Sequence, residues 1–297
     1  MTTSPLSIGL LGCGSVGTLM AWHWRSCNLS VLPRDGHSDI NLRLQTRSGD
    51  VQAVHLPCWQ GEPLDWLVVT TKAGDTLNAL KAWRAKLPAV KRLLLLQNGM
   101  GQQDETAQWL EQQALPCELW AGISTEGAYR TQDAQGPLVI YAGEGSNVAG
   151  RWPTRQTRAA QAGCPLPPGI RFVDDIRTPV REKLAVNAVI NPLTGLLRCT
   201  NGELANNPDY RRQLLALAAE IAGLYSHLGW TLSIPLPERA LAVARATAAN
   251  RSSTLQDILA GRSTELSCIT GYLLHCADRI NYPLPLSRAL YQQLQTV

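Results

Sequence analysis

Apolar and polar positions along this chain fall into two regimes. Up to about residue 174 the apolar residues come in short runs: LSIGLLG (6–12), NLSVLP (28–33), DWLVVT (65–70) and RLLLLQ (92–97). Runs rather than strict alternation mark strands covered on both faces, as in a parallel sheet. Helical patterns over about 15–27, 74–87 and 101–113 separate them, and 117–124 and 137–143 read as two later strands. Strands alternating with helices predict a doubly wound sheet. The stretch GCPLPPG (163–169) breaks the pattern, and one short strand and Pro179 follow it. Beyond that point the periodicity is helical, over about 182–197, 207–228, 237–250, 253–260 and 263–280. Asn207-Pro208-Asp209 opens one of these helices well, with Asn as N-cap and Pro at the first helical position.

The first strand runs straight into Gly12-Cys13-Gly14-Ser15-Val16-Gly17 and then a helix. A G-x-G-x-x-G sequence alone is a weak signal, since any glycine-rich strand–helix turn matches it. Between a strand and a helix it gains a mechanism: Gly12 for the tight turn, Gly14 for close approach to a pyrophosphate, Gly17 for helix–strand packing, and the helix N-terminus for the phosphates. The predicted fold is therefore α/β, a Rossmann-type doubly wound sheet over residues 1–174, followed by an all-helical domain over 175–297. Arg34 ends the second strand, where NAD sites usually carry an acid. A guanidinium there suits a 2′-phosphate and favours NADPH; the adjacent Asp35 and a purely solvated role for Arg34 are the competing features. Thr70-Thr71-Lys72 and Gln97-Asn98-Gly99-Met100-Gly101 close the next two strands at their carboxyl ends, where such folds bind ligands. Lys72 is placed to hold the adenosine end of the cofactor, and Asn98 to reach its nicotinamide end; Asn98-Gly99 also reads as a simple turn.

The second regime carries the chemistry. In EKLAVNAVINPLTGLL (182–197), Lys183, Asn187 and Asn191 fall at i, i+4 and i+8, one stripe of a helix that is otherwise apolar nearly all round. Such a helix is buried, and a buried ammonium and two amides are costly unless partnered. The chain holds five Lys, at 72, 81, 86, 91 and 183, against 22 Arg, so Lys183 stands out. Lys can shift its pKa and exchange a proton where Arg cannot. The stripe reads as the wall of an active site with Lys183 as proton donor; the bland alternative is a structural helix whose polar groups satisfy neighbouring backbone. Asn201-Gly202-Glu203 reads as a turn after it. Ser263 reads as an N-cap, which would leave Glu265 as a first-turn acid compensating the helix dipole. Ser252, Ser253 and Thr254 read equally well as another N-cap.

Composition narrows the partners. The 297 residues carry 45% hydrophobic and 17% charged positions and a net charge of +4, a globular chain suited to an anionic ligand. No Lys/Arg run suggests a nucleic-acid surface. Eight scattered Cys without a C-x-x-C pair, and five His without ligand spacing, predict neither disulfides nor a metal site. No apolar run reaches the roughly 18 residues of a membrane span, and MTTSPLSIGLLGCG reads as a first strand rather than a signal peptide. A cytoplasmic location without membrane or nucleic-acid partners is expected, and a homodimer is compatible with it.

Taken in order, GCGSVG, Lys72, Asn98-Gly99-Met100-Gly101, the Lys183–Asn187–Asn191 stripe, Asn201-Gly202-Glu203-Leu204, Ser252-Ser253-Thr254-Leu255-Gln256-Asp257 and Thr264-Glu265 before Ile269-Thr270-Gly271 resemble the ketopantoate reductases (2-dehydropantoate 2-reductases) over essentially the whole length. The resemblance implies reduction of 2-dehydropantoate to pantoate with NADPH, in pantothenate and coenzyme A biosynthesis. It makes Lys183 the general acid at the ketone oxygen, and has Glu265 hold a substrate hydroxyl and balance charge around Lys183. It gives Asn98, Asn187, Asn191, Asn201 and Ser253 to the substrate, and Gly12, Cys13, Gly14, Ser15, Val16, Gly17, Arg34, Lys72 and Asn98 to the cofactor. Two positions depart from it: Gln97 stands where His is expected, and Glu126 where a non-acidic residue is. A Glu126 facing the ligand would disfavour an anionic substrate. The alternatives are a related NADPH-dependent reductase of another 2-oxo acid and a non-catalytic NADPH-binding regulatory protein. A β-hydroxyacid dehydrogenase shares the general plan, but the third Asn and Thr264-Glu265 speak against it.

Overall fold

A computed structural model gives the structure and describes residues 5–154 and 165–296. Contacts divide the chain into two compact units, Met1–Gln97 with Gln102–Ile176, and Asn98–Gly101 with Arg177–Val297.

The first unit runs β1 (Ser7–Leu11), α1 (Ser15–His23), β2 (Asn28–Val31), β3 (Ile40–Gln45), β4 (Val51–Leu56), β5 (Leu64–Val69), α2 (Thr76–Ala82), β6 (Val90–Leu95), α3 (Gln102–Gln112), β7 (Glu118–Ser124), β8 (Gly127–Asp133), β9 (Gly136–Gly143), β10 (Asn147–Arg151) and β11 (Ile170–Phe172). Its main sheet has the order β11-β10-β7-β6-β5-β1-β2. β2, β1, β5, β6 and β7 are mutually parallel, and β10 turns back antiparallel to β7. β1 lies between β2 and β5, so the chain leaves it towards opposite sides of the sheet. That reversal opens a crevice at the carboxyl end of β1. The apolar runs of β1, β5 and β6 are buried on both faces, with Ile8, Leu10, Trp66, Val68 and Leu94 fully enclosed, whereas β2 at the sheet edge is only partly covered. The predicted helix over 74–87 is in fact α2 flanked by two 3-10 turns, Ala73–Asp75 and Arg84–Ala89, the latter holding Pro88.

A second sheet, β4-β3-β9-β8, has no counterpart in the sequence reading. It pairs two hairpins through the parallel contact of β3 with β9, and it packs across α1. The predicted strand over 137–143 exists as β9, but in this sheet rather than in the doubly wound one. Of the Pro/Gly-rich break, residues 163 and 164 lie outside the described residues, and 165–169 lead into β11.

The second unit is helical: α4 (Arg177–Leu197), α5 (Asn201–Asn206), α6 (Pro208–His227), α7 (Leu236–Ala246), α8 (Ser253–Leu259), a π-helical turn at Ser267–Gly271, α9 (Tyr272–Arg279) and α10 (Pro285–Gln295). α4 packs against α5, α6, α7, α8 and α10, which is why it is apolar nearly all round. Asn207 caps α6 as predicted, its side chain accepting from Asp209 N and Tyr210 N. Asn201-Gly202-Glu203 is a helix rather than a turn, because Thr200 and Glu203 form a capping box that outweighs Gly202. Helical structure starts at Leu266 and continues into the π turn, so Ser263 is not the N-cap residue and Glu265 precedes the helix rather than lying in its first turn. No helix of the described residues is long and apolar enough to cross a membrane.

Candidate functional site

In the first unit the glycine loop occupies the crevice. Gly12 adopts φ +107°, a conformation L residues avoid, and a Cβ there would sit 2.6 Å from Thr71 N. Gly17 lies against the Gly12 carbonyl and Thr70 Oγ1, so a Cβ would collide with both. A Cβ on Gly14 would meet nothing within 4 Å. Two glycines are therefore dictated by packing, while the middle one faces open space, where a close-approaching ligand would use it. The Cys13 thiol is pushed up to about 11 by burial and stays protonated near neutrality. Arg34, just past β2, is exposed. Asp35 turns to its own loop: Oδ1 accepts from His37 N and Ser38 N, both at 3.0 Å. Hydrogen bonds from Ser38 and His37 hold its carboxyl down at about 2. Lys72 precedes the 3-10 turn at Ala73–Asp75 and is half-buried. Gln97, buried, donates from Nε2 to Thr71 O at 2.9 Å and Thr76 Oγ1 at 2.7 Å, stitching the ends of β5 and β6.

In the second unit a polar cluster forms around α4. Lys183 is half-buried as a whole, yet its ammonium is desolvated enough to bring its pKa down to about 8, against the opposing field of the Glu265 carboxylate. Glu265 Oε2 accepts from Asn98 Nδ2 at 3.0 Å. Both partners are positioned by backbone. The Glu265 carbonyl accepts from Cys268 N and Ile269 N at the head of the π turn, and Cys268 O accepts from Met100 N at 2.9 Å. Gly99, at φ +84°, lies so close that a Cβ would be 2.6 Å from Cys268 O. A π turn displaces a helix by one residue and is frequent at functional sites. Asn187 is half-buried and Asn191 buried, so one amide of the stripe is less enclosed than the sequence suggests. Asn191 Nδ2 reaches Ser253 Oγ at 3.5 Å.

The adjacent serines divide their work. Ser252 is buried, caps α8 through Leu255 N and accepts from Thr194 Oγ1 at 2.6 Å, whereas Ser253 is exposed. Asn201 is buried and donates to Thr247 Oγ1 at 2.9 Å; its Oδ1 is enclosed without a partner. The structure thus brings Asn98, Lys183 and Glu265 together, and Asn191 to Ser253. Glu126 is engaged within the first unit. Its carboxylate, 7% exposed, bonds His23 Nε2 and Tyr141 Oη, each at 3.0 Å. Burial, and after it the hydrogen bond to Glu126, pushes the Tyr141 hydroxyl up to about 12. Sequence reasoning misses Arg130, whose Nη2 donates to the Cys13 carbonyl at 3.3 Å. Nothing local signals it, since its partner is 117 positions away. Among the described residues no group of three or more His, Cys, Asp or Glu is placed to hold a metal.

Comparison with known proteins follows the same division. The profile described as ketopantoate reductase PanE/ApbA matches residues 8–154, and that of the ketopantoate reductase PanE/ApbA C terminal matches 175–297. A 2-dehydropantoate 2-reductase from Yersinia pestis is 32% identical, covering 98% of this chain and 94% of its own. The crystal structure of a probable 2-dehydropantoate 2-reductase from Bacillus subtilis is 27% identical with a TM-score of 0.74, covering 98% of this chain and 99% of its own. A dimeric ketopantoate reductase from Staphylococcus aureus, 18% identical, shares the fold at a TM-score of 0.74, covering 98% of each chain.

Proposed function

We propose a specific reaction from one premise: the chain belongs to the ketopantoate reductase family. It reduces 2-dehydropantoate to pantoate with NADPH, in pantothenate and coenzyme A biosynthesis. Residues 1–174 act as the NADP-binding Rossmann domain and 175–297 as the substrate-binding, catalytic domain. The observation that carries the reading is Lys183, an ammonium with a pKa near 8 that is coupled to Glu265, whose carboxylate also binds Asn98.

The residues present fit a dinucleotide, since the loop backbone is open at Gly14 and closed by packing at Gly12 and Gly17. Residues 12–17 would hold the pyrophosphate, Lys72 the adenosine end and Asn98 the nicotinamide end. Arg34 would hold a 2′-phosphate. The engagement of Asp35 Oδ1 in its own turn supports Arg34 rather than Asp35 as the ligand of the adenosine ribose, and so NADPH over NADH. When bound, NADPH supplies a hydride to the ketone carbon of the substrate.

The chain's own residues manage the charge that then develops on the ketone oxygen. Lys183 donates a hydrogen bond to that oxygen and delivers its proton as the alcohol forms; solvent reprotonates the amine. A pKa near 8 keeps most of the population charged at neutral pH while making the proton easier to give than from an ordinary lysine. Glu265 maintains the charged form and accepts from a substrate hydroxyl. Asn187, Asn191, Asn201 and Ser253 bind the remaining polar groups of the substrate; the enclosed Oδ1 of Asn201 suits a donor such as a hydroxyl. Assembly as a homodimer belongs to the same proposal and is checked by sedimentation. The test of the reaction is NADPH oxidation with 2-dehydropantoate beside pyruvate and 2-oxoisovalerate, with NADH as parallel cofactor. Turnover confined to 2-dehydropantoate and NADPH is expected; preference for another 2-oxo acid, or tight NADPH binding without turnover, would replace the reading.

A further inference from the structure

The glycine loop lacks a cation of its own: residues 12–17 carry no charged side chain. A pyrophosphate held there would meet backbone amides and a helix N-terminus, but no full positive charge. The second sheet brings one. Arg130 lies on β8, and its Nη2 donates to the carbonyl of Cys13, the residue between the first two glycines. A guanidinium has five N–H donors in a rigid fork matched to phosphate oxygens, and one carbonyl engages only part of that capacity.

The placement is built rather than incidental. β8 is fastened to α1 at two places. Past its start, Arg130 reaches the loop that precedes α1. Just before β8, Glu126 accepts hydrogen bonds from His23, the last residue of α1, and from Tyr141 of the neighbouring β9. Glu126 is more than nine-tenths buried, so this carboxylate is a fixed anchor. Trp22 packs on the same group, its ring centroid 5.0 Å from that of His23 and 6.1 Å from that of Tyr141. The residue that departs from the family pattern thus serves to hold β8, and with it Arg130, along α1.

We propose that Arg130 is a cofactor-binding residue whose guanidinium pairs with the pyrophosphate of the dinucleotide on the Gly12–Gly17 loop. This rests on the NADPH reading above. It differs from the role of Arg34 in a measurable way, because the pyrophosphate is common to NADPH and NADH whereas the 2′-phosphate is not. Arg130→Ala raises the Kd of both dinucleotides by the same factor, about tenfold, as expected for loss of a charge-assisted hydrogen bond. The Kd of the variant also rises less steeply with salt than that of the native chain. Arg130→Lys keeps most of the affinity, while Arg130→Gln, which can still donate to the Cys13 carbonyl but carries no charge, behaves like Ala.

The experiment is titration of NADPH and NADH into the full-length native chain and these three variants at low and high salt, with melting curves as a check on folding. Equal losses for both dinucleotides in the Ala and Gln variants, with rescue by Lys, support the proposal. Native affinity in Arg130→Ala overturns it, as does native affinity in Arg130→Gln, which would make Arg130 a neutral tether of the loop. A native chain that binds neither dinucleotide overturns the cofactor reading itself and is distinguishable from both.

Discussion

The glycine loop of the first unit and the polar cluster of the second solve opposite problems. The loop spans six consecutive residues and works by absence: no side chain at 12, 14 and 17, with strand and helix packed close at 12 and 17 and open space at 14. The cluster gathers Asn98, Lys183 and Glu265 from distant parts of the chain and works by presence, with an ammonium and a carboxylate partly withdrawn from water. A loop of amides can bind an anion but can hardly shift a proton. A desolvated lysine can do so, because removing water brings its pKa towards the working pH. On the proposed reading, binding and chemistry sit on different kinds of structure, and substitutions in each should fail differently.

The largest contrast comes from Lys183→Ala. It lowers kcat by at least about 10²-fold, the lower end for a positioned general acid, and leaves NADPH affinity unchanged in a fluorescence titration. Next, Arg34→Ala weakens NADPH by about 10- to 100-fold, the range for hydrogen bonds to a charged group, with NADH nearly unaffected. Comparable losses for both cofactors would remove the 2′-phosphate assignment. A smaller effect separates the carboxylates of Glu265 and Glu126. The Glu265 field raises the pKa of Lys183 against the lowering by burial. Neutralising it in Glu265→Gln therefore moves that pKa below about 8 and shifts the alkaline limb of the kcat profile to lower pH. Glu126→Gln leaves that limb in place, because Glu126 is bonded to His23 and Tyr141 in the other unit. It costs about 1 kcal/mol, or roughly 2–4 °C in Tm by calorimetry, the scale of a lost hydrogen bond in a chain of this size.

What can be read from the sequence follows the same contrast. The loop is legible because its causes are contiguous: a Cβ at 12 or 17 fails against neighbours fixed by the adjoining strand and helix. The stripe on α4 is legible because helical geometry alone puts 183, 187 and 191 on one face, and Asn207-Pro208 announces its own cap. The Asn98–Glu265 bond joins residues 167 positions apart, and no local pattern carries it. The π turn that positions Glu265 is equally silent, since apolar spacing in SCITG suits an ordinary helix. Elsewhere the signal exists but competes with another. Ile40, Leu42 and Leu44 alternate with polar residues, the mark of a half-exposed strand, yet a search for continuous apolar runs passes over them. Thr200 and Glu203 spell a capping box, but Gly202 between them suggests a turn. β8 is polar and largely exposed along GAYRTQD, so only its pairing with β9 makes it a strand, and Arg130 is hidden with it.

The most direct test of the central claim is NADPH oxidation driven by 2-dehydropantoate, followed from neutral to alkaline pH in the native chain and in Lys183→Ala side by side. The account predicts native turnover that declines as pH rises through about 8, where the Lys183 ammonium loses its proton, and at most a small residual rate in the variant. Native-like turnover in Lys183→Ala, or a native rate indifferent to pH through that range, would contradict it.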